Sequence, residues 1–151
     1  MPPDHVPFDA LEINESYDIL VGEELLKIGV VSVGNPHAVF FVEDIVKAPV
    51  AKLGPALENH ERFPERTNVV FVEVQDQYSL KVRVWERGVG ETTACGSGAC
   101  GAVAVSNKQK KIDQNVSVFL PGGRLSVSWN GIDHLTMTGP AVSVFEGHWT
   151  L

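Results

Sequence analysis

The sequence predicts an α+β domain, mainly β, whose sheet wraps round one buried helix. Three observations lead there. Short runs rich in Val, Ile, Phe and Leu recur along the chain, divided by Gly, Pro, Asn and Asp. One segment, residues 97–107, is small and apolar on nearly every side. A second stretch, 49–60, has helical length. With 151 residues the chain suits a single domain with a real core.

The elements follow in order. Residues 1–15 are rich in Pro and acidic side chains and read as an extended lead-in. Residues 25–33 (LLKIGVVSV) read as a strand, and Gly34-Asn35-Pro36-His37 interrupts it before an apolar strand resumes over 38–42. Residues 49–60 read as a helix with Pro49 near its first turn, although Pro55 lies inside it. A polar loop over 61–68 precedes the strand 69–74. In residues 80–85 the alternation is strict: Leu80, Val82 and Val84 point one way, Lys81, Arg83 and Trp85 the other. After the helix at 97–107, Lys108, Lys110 and Lys111 suit the negative pole of its dipole. Residues 116–120 and 124–129 read as a hairpin about Pro121-Gly122-Gly123. Strands at 134–138 and 142–149 complete the pattern, with Gly139-Pro140 between them.

The bulk numbers exclude several classes. Hydrophobic residues make up 44% and charged residues 21%, a soluble globular balance. No apolar run reaches the ~18 residues that a membrane helix needs. Met1-Pro2-Pro3-Asp4-His5 has neither the basic start nor the apolar stretch of a signal peptide. A net charge of -7 argues against non-specific nucleic-acid binding, which depends on Lys and Arg neutralising phosphates. The two cysteines, Cys95 and Cys100, are too few for a secreted disulfide scaffold. On one helix they would stand about 140° apart. They read as free thiols in a reducing, cytoplasmic compartment.

The segment from Glu86 to Gly101 (ERGVGETTACGSGACG) concentrates the chemistry. Gly96, Gly98 and Gly101 each cost helix stability, about 1 kcal/mol relative to Ala. They suit a different purpose, bringing backbone N–H groups close to a ligand. A helix N-terminus favours an anion and an ionised thiol. The turn could therefore bind a carboxylate and activate Cys95 together, with Glu86 setting the proton balance. Read by itself, Cys95 is equally well a small buried residue with glycines packed round it. Cys100 falls inside the apolar helix and reads as core.

Two other groups stand out. His37, in the tetrad between two strands, can act as a base or orient a thiol, or the tetrad can be a plain turn. Asn68, after Arg66-Thr67, can hold a polar substrate or cap a turn. The remaining histidines show no partner spacing. Two cysteines at this spacing match no zinc pattern, no phosphate-loop motif is present, and Gly88-x-Gly90 lacks the register of a dinucleotide fingerprint. No metal or other cofactor is expected.

Taken together and in order, these pieces resemble the diaminopimelate epimerase family. Gly34-Asn35-Pro36-His37-Ala38-Val39, Arg66-Thr67-Asn68-Val69, Glu86-Arg87-Gly88-x-Gly90-Glu91-Thr92 and Ala94-Cys95-Gly96-Ser97-Gly98-Ala99-Cys100 match that family's C-terminal half, as do Leu120-Pro121-Gly122-Gly123 and Gly139-Pro140-Ala141. The resemblance runs from about Gly34 to the end. It implies one lobe of a two-lobed fold, each lobe an antiparallel sheet curled round a central helix, with the site between them. Residues 1–141 would form the second lobe, and 142–151 a terminal strand returning to the first. The implied reaction interconverts LL- and meso-diaminopimelate, in lysine and peptidoglycan precursor synthesis, without pyridoxal phosphate or metal. One cysteine thiolate removes the α-proton while a second cysteine supplies one to the opposite face.

Cys95 would be one of the pair, with Glu86 and His37 tuning the sulfurs. Asn35, Asn68, Glu86, Arg87, Gly96 and Ser97 would hold the substrate's carboxylates and amines. The second cysteine and its lobe have no counterpart in this sequence, so the chain is expected to be an inactive fragment without them. The surface round Cys95, His37 and Asn68 would then be open to water. A homodimer is compatible with the resemblance. Three alternatives stay open: a related proline-type racemase, a thiol acyl transferase or hydrolase using Cys95 and His37, and a lobe kept for partner binding.

Overall fold

The computed structural model describes residues 6–10 and 12–150. Its elements are β1 (Tyr17–Val21), β2 (Glu24–Ser32), β3 (Pro36–Phe41), α1 (Val50–Glu58), β4 (Asn68–Asp76), β5 (Ser79–Glu86), β6 (Gly90–Thr92), α2 (Gly96–Lys108), β7 (Asn115–Leu120), β8 (Gly123–Ser128) and β9 (Thr136–Thr138). The strands form one sheet in the order β1-β2-β3-β4-β5-β7-β8-β9, with β6 also on β5. The α+β class expected from the sequence is the one observed.

The sheet is mixed, where the resemblance implied an antiparallel one. β3 runs parallel to β4, and β5 parallel to β7. The reason lies in the connections. Parallel neighbours need a crossover of a dozen or more residues. Here α1 lies on the path from β3 to β4, and β6 with α2 on the path from β5 to β7. All other pairs are antiparallel.

The two helices cover opposite faces. On β4, Val70 and Val72 join the cluster round α2, whereas Val69 and Phe71 join the cluster round α1. A strand buried on both faces reads as a continuous apolar run, as Val69-Val70-Phe71-Val72 does. The expected alternation in β5 is also present. Leu80, Val82 and Val84 lie under α2, and Trp85 packs on the α1 side.

Helix α2 is the buried helix that the sequence predicts. Every residue from Ala102 to Ser106 is buried. It touches β2, β3, β4, β5 and β8, so the sheet curls about it. Small residues allow the close approach: a Cβ added to Gly29 of β2 would stand 2.2 Å from a Val105 methyl of α2.

Several boundaries differ. β3 starts at Pro36, which places His37 inside a strand. β1 and β6 were not anticipated, because YDILV is short and GET has no strand pattern. Within the lead-in, Val6 and Phe8 are buried in the α1 cluster; residues 1–5 and 11 lie outside the described residues. The strand expected over 142–149 is not formed. Its apolar members Val142, Val144, Phe145 and Trp149 stand exposed and join no ladder among the described residues. Residue 151 lies outside the described residues. No described helix is long and apolar enough to cross a membrane.

Candidate active site

Strand register brings the predicted residues into a row. His37 of β3 pairs with Asn68 of β4, and Val69 pairs with Trp85 of β5, so Asn68 stands beside Glu86. With period two, His37 shares a face with Val39, Asn68 with Val70, and Glu86 with Val84. That is the face covered by α2. The N-terminal end of α2 lies over this row, since a Cβ on Gly101 would meet the His37 ring at 3.3 Å and one on Gly98 would meet Val84 at 2.9 Å.

Cys95 is the N-cap of α2, with extended backbone (φ -143°, ψ 103°). Its sulfur accepts the Gly98 N–H at 3.4 Å and lies 3.6 Å from the Ser97 hydroxyl. Ser, Thr, Asp and Asn usually fill this position by accepting such an N–H, and here a thiol does. A side chain on Gly98 would crowd this turn, because its Cβ would also stand 3.2 Å from the sulfur. The loop leading in is pinned by the β7–β8 hairpin, where the Gly122 N–H donates to the Thr93 carbonyl at 2.6 Å. Gly96 lies under Met137 of β9.

Asn68 organises the centre. Its Nδ2 donates to the Pro36 carbonyl at 3.0 Å, and its Oδ1 accepts the Arg87 N–H at 3.0 Å. One amide thus ties β3, β4 and the Glu86-Arg87 turn together. Glu86 accepts a hydrogen bond from the Thr92 hydroxyl. The Arg87 guanidinium donates to the Glu65 carbonyl at 2.8 Å.

His37 is wholly buried (0% exposed). Its Nδ1–H donates to the Asn35 carbonyl at 3.0 Å, which leaves a bare lone pair on Nε2. That nitrogen is buried with no hydrogen-bond partner among the described residues. Burial lowers the His37 pKa to about 4, outweighing the raising effects of the Asn35 bond and the Glu86 charge; Arg87 lowers it further. His37 is therefore a neutral imidazole at neutral pH.

Two expectations change. Cys95 (7% exposed) and Asn68 (4%) are buried like His37, so this face is not open to water in the lone domain. The cause is internal: α2 itself roofs the row. In addition, no hydrogen bond links Cys95 to His37; each is engaged with its own local partners. A Cys–His dyad for acyl transfer is absent from the described contacts. Both cysteines are free, and Cys100 is half-buried, with its thiol pushed up by burial and by Cys95 nearby. Two clefts, one of about 400 Å³ over β2 and the end of α2 and one of about 540 Å³ between β5 and β7, lie away from these residues.

Sequence reasoning missed Glu58, Trp85, Thr92 and Met137. For Glu58 a signal existed. It is the last member of the buried stripe Val50, Leu53, Gly54, Leu57, Glu58, a charge in an apolar helical register.

The family model described as diaminopimelate epimerase matches residues 29–144. The chain belongs to the diaminopimelate epimerase family. That is a family of isomerases, and the motif residues derived above all fall within the matched span. Solved structures of similar fold include a methylitaconate-delta-isomerase, at 14% identity over 86% of this chain and 53% of that one, TM-score 0.57. Another is a probable proline racemase from Agrobacterium radiobacter K84 with bound carbonate, at 16% identity over 82% and 41%, TM-score 0.54. A third is a PhzF-family phenazine biosynthesis protein from Enterococcus faecalis, at 19% over 64% and 35%, TM-score 0.51. At these identities the likeness is one of fold. The chain spans from 35% to 53% of the length of these structures.

Proposed function

We propose that this chain is the second lobe of an epimerase that interconverts LL- and meso-diaminopimelate by two-base proton transfer. The observation that carries the reading is Cys95 at the N-cap of α2, above the row His37, Asn68, Glu86. The sulfur stands at the N-terminal end of the helix and accepts the Gly98 N–H. The thiolate takes the α-proton, and the electron pair passes into the substrate carboxylate. A thiol on the opposite face then donates its proton to the same carbon, and the two sulfurs have exchanged roles.

Cys100 is a poor candidate for that second thiol. It sits on the same helix as Cys95, and two groups on one helix do not flank a carbon. We therefore assign the second thiol to a lobe outside this chain, consistent with the partial coverage of the related structures. Asn35, Arg87 and the Gly96-Ser97 turn would meet the substrate's carboxylates and amines, with Asn68 and Glu86 at their centre. The exposed apolar side chains at 142–149 supply a strand for the partner lobe. Two free cysteines fit a reducing cytoplasm.

The test is deuterium uptake at the α-carbon of diaminopimelate in heavy water. The chain alone should be silent, and the chain mixed with the N-terminal lobe carrying the partner cysteine should exchange. Exchange at full rate by this chain alone would overturn the fragment reading. If the mixture exchanged proline and left diaminopimelate untouched, the substrate would be wrong.

A further inference from the structure

Glu58 is the last residue of α1, on the face of the sheet opposite Cys95. A carboxylate is disfavoured there twice over. The C-terminal end of a helix is its negative pole, and the side chain is buried, with 6% of the residue exposed. Donors directed at it compensate. The Trp85 indole N–H donates to Oε2 at 2.7 Å, and the Gly88 N–H donates to Oε1 at 2.8 Å. The Arg66 guanidinium approaches Oε1 at 3.5 Å.

These donors come from the segments that carry the site. Trp85 and Gly88 bracket Glu86 and Arg87. Arg66 stands two residues before Asn68, in a left-handed conformation (φ 60°) unusual for a side-chain-bearing residue. The Trp85 ring is seated against α1 as well, since a Cβ on Gly54 would stand 2.6 Å from it. Asn68 grips the Arg87 N–H from one face of the sheet, and Glu58 grips the next N–H, that of Gly88, from the other.

We infer that Glu58 is a positioning residue, holding the Glu86-Arg87-Gly88 turn and the Arg66-Asn68 approach in register for substrate. The inference rests on the proposed function for its kinetic arm. It requires both oxygens as acceptors, which glutamine cannot supply, because one position becomes an NH2 facing an N–H donor.

The experiment compares Glu58→Gln, Glu58→Ala and the double variant Glu58→Gln/Trp85→Phe. The first measurement is hydrogen exchange of the Gly88 amide in the chain itself, with the Val118 amide of β7 as reference. We expect Glu58→Ala to lower Gly88 protection about tenfold or more relative to Val118. Glu58→Gln should fall between, and removing the indole N–H should restore much of its loss, since the Gln carbonyl is then free for Gly88.

The second measurement is diaminopimelate exchange with the partner lobe added. There KM should rise by about tenfold in Glu58→Ala, more than kcat falls. Unchanged Gly88 protection in Glu58→Ala, or a Tm loss with neither Gly88 protection nor KM altered, overturns the inference. A wild-type mixture that does not exchange diaminopimelate refutes the proposed function, and the Gly88 arm still decides the role of Glu58.

Discussion

Asn68→Ala is the sharpest perturbation of the site. The side chain is 4% exposed and holds two backbone groups, the Pro36 carbonyl and the Arg87 N–H, each at 3.0 Å. Truncation leaves both without that partner in a place where water enters poorly. Each such group costs about 1–3 kcal/mol, so the pair should cost roughly 3 kcal/mol once partial relaxation is allowed. For a domain of this size that lowers Tm by roughly 6–12 °C.

The assay is urea unfolding at neutral pH, with amide exchange at Arg87 alongside. Asn68→Asp serves as a control. It keeps an acceptor for Arg87 but sets an oxygen against the Pro36 carbonyl. Protonated, the same carboxyl donates to that carbonyl, so its folded state binds the proton more tightly than its unfolded state. The Asp variant should therefore recover stability relative to wild type as pH falls through the carboxylate range. A loss in Asn68→Ala of less than about 0.5 kcal/mol, the ordinary surface range, with Arg87 protection unchanged, would refute the reasoning.

Further outcomes are expected. His37 is neutral in the fold, with its pKa lowered to about 4 from 6.5, so the unfolded chain binds its proton first as pH falls. Its stabilising contribution is complete above about pH 6.5 and is lost on acidification to about pH 4, a total of roughly 3 kcal/mol; a wild-type minus His37→Gln difference that stays flat in urea titrations across this window would contradict it. Cys95→Ser retains a favoured N-cap, so Tm should hold within about 2 °C while deuterium uptake by the reconstituted enzyme disappears; surviving uptake would remove Cys95 from the chemistry. Gly98→Ala gains up to about 1 kcal/mol of helix propensity but sets a methyl 2.9 Å from Val84 and 3.2 Å from the Cys95 sulfur. Overpacking of that kind costs about 1–3 kcal/mol, so thermal melting should come earlier, and a rise in Tm would show that the turn has room to spare.

Much of the architecture was legible because it rests on local pattern. The period-two alternation of Leu80, Val82 and Val84 identified β5 and its buried face, and the small apolar run through Ala102 to Ser106 identified the central helix. The exposed tail shows where that reading stops. Residues 142–149 carry strand-like side chains but pair with no strand among the described residues, and pairing is a property of two strands. The parallel pairs β3–β4 and β5–β7 depend on where a crossover returns, which no local window reports.

The candidate site divides along the same line. Its ingredients were sequence-local: a thiol before a glycine-rich helix start, a histidine between strands, an asparagine opening a strand, and Glu86-Arg87-Gly88. Residue chemistry and spacing already state what such groups can do. Their assembly was not local. His37, Asn68 and Glu86 become neighbours through strand register across three strands, and burial by α2 makes His37 neutral. Glu58 enters from the far face through bonds to Trp85 and Gly88. Such contacts join residues 18 to 31 positions apart in the chain, and only packing in three dimensions decides which distant polar groups satisfy one another.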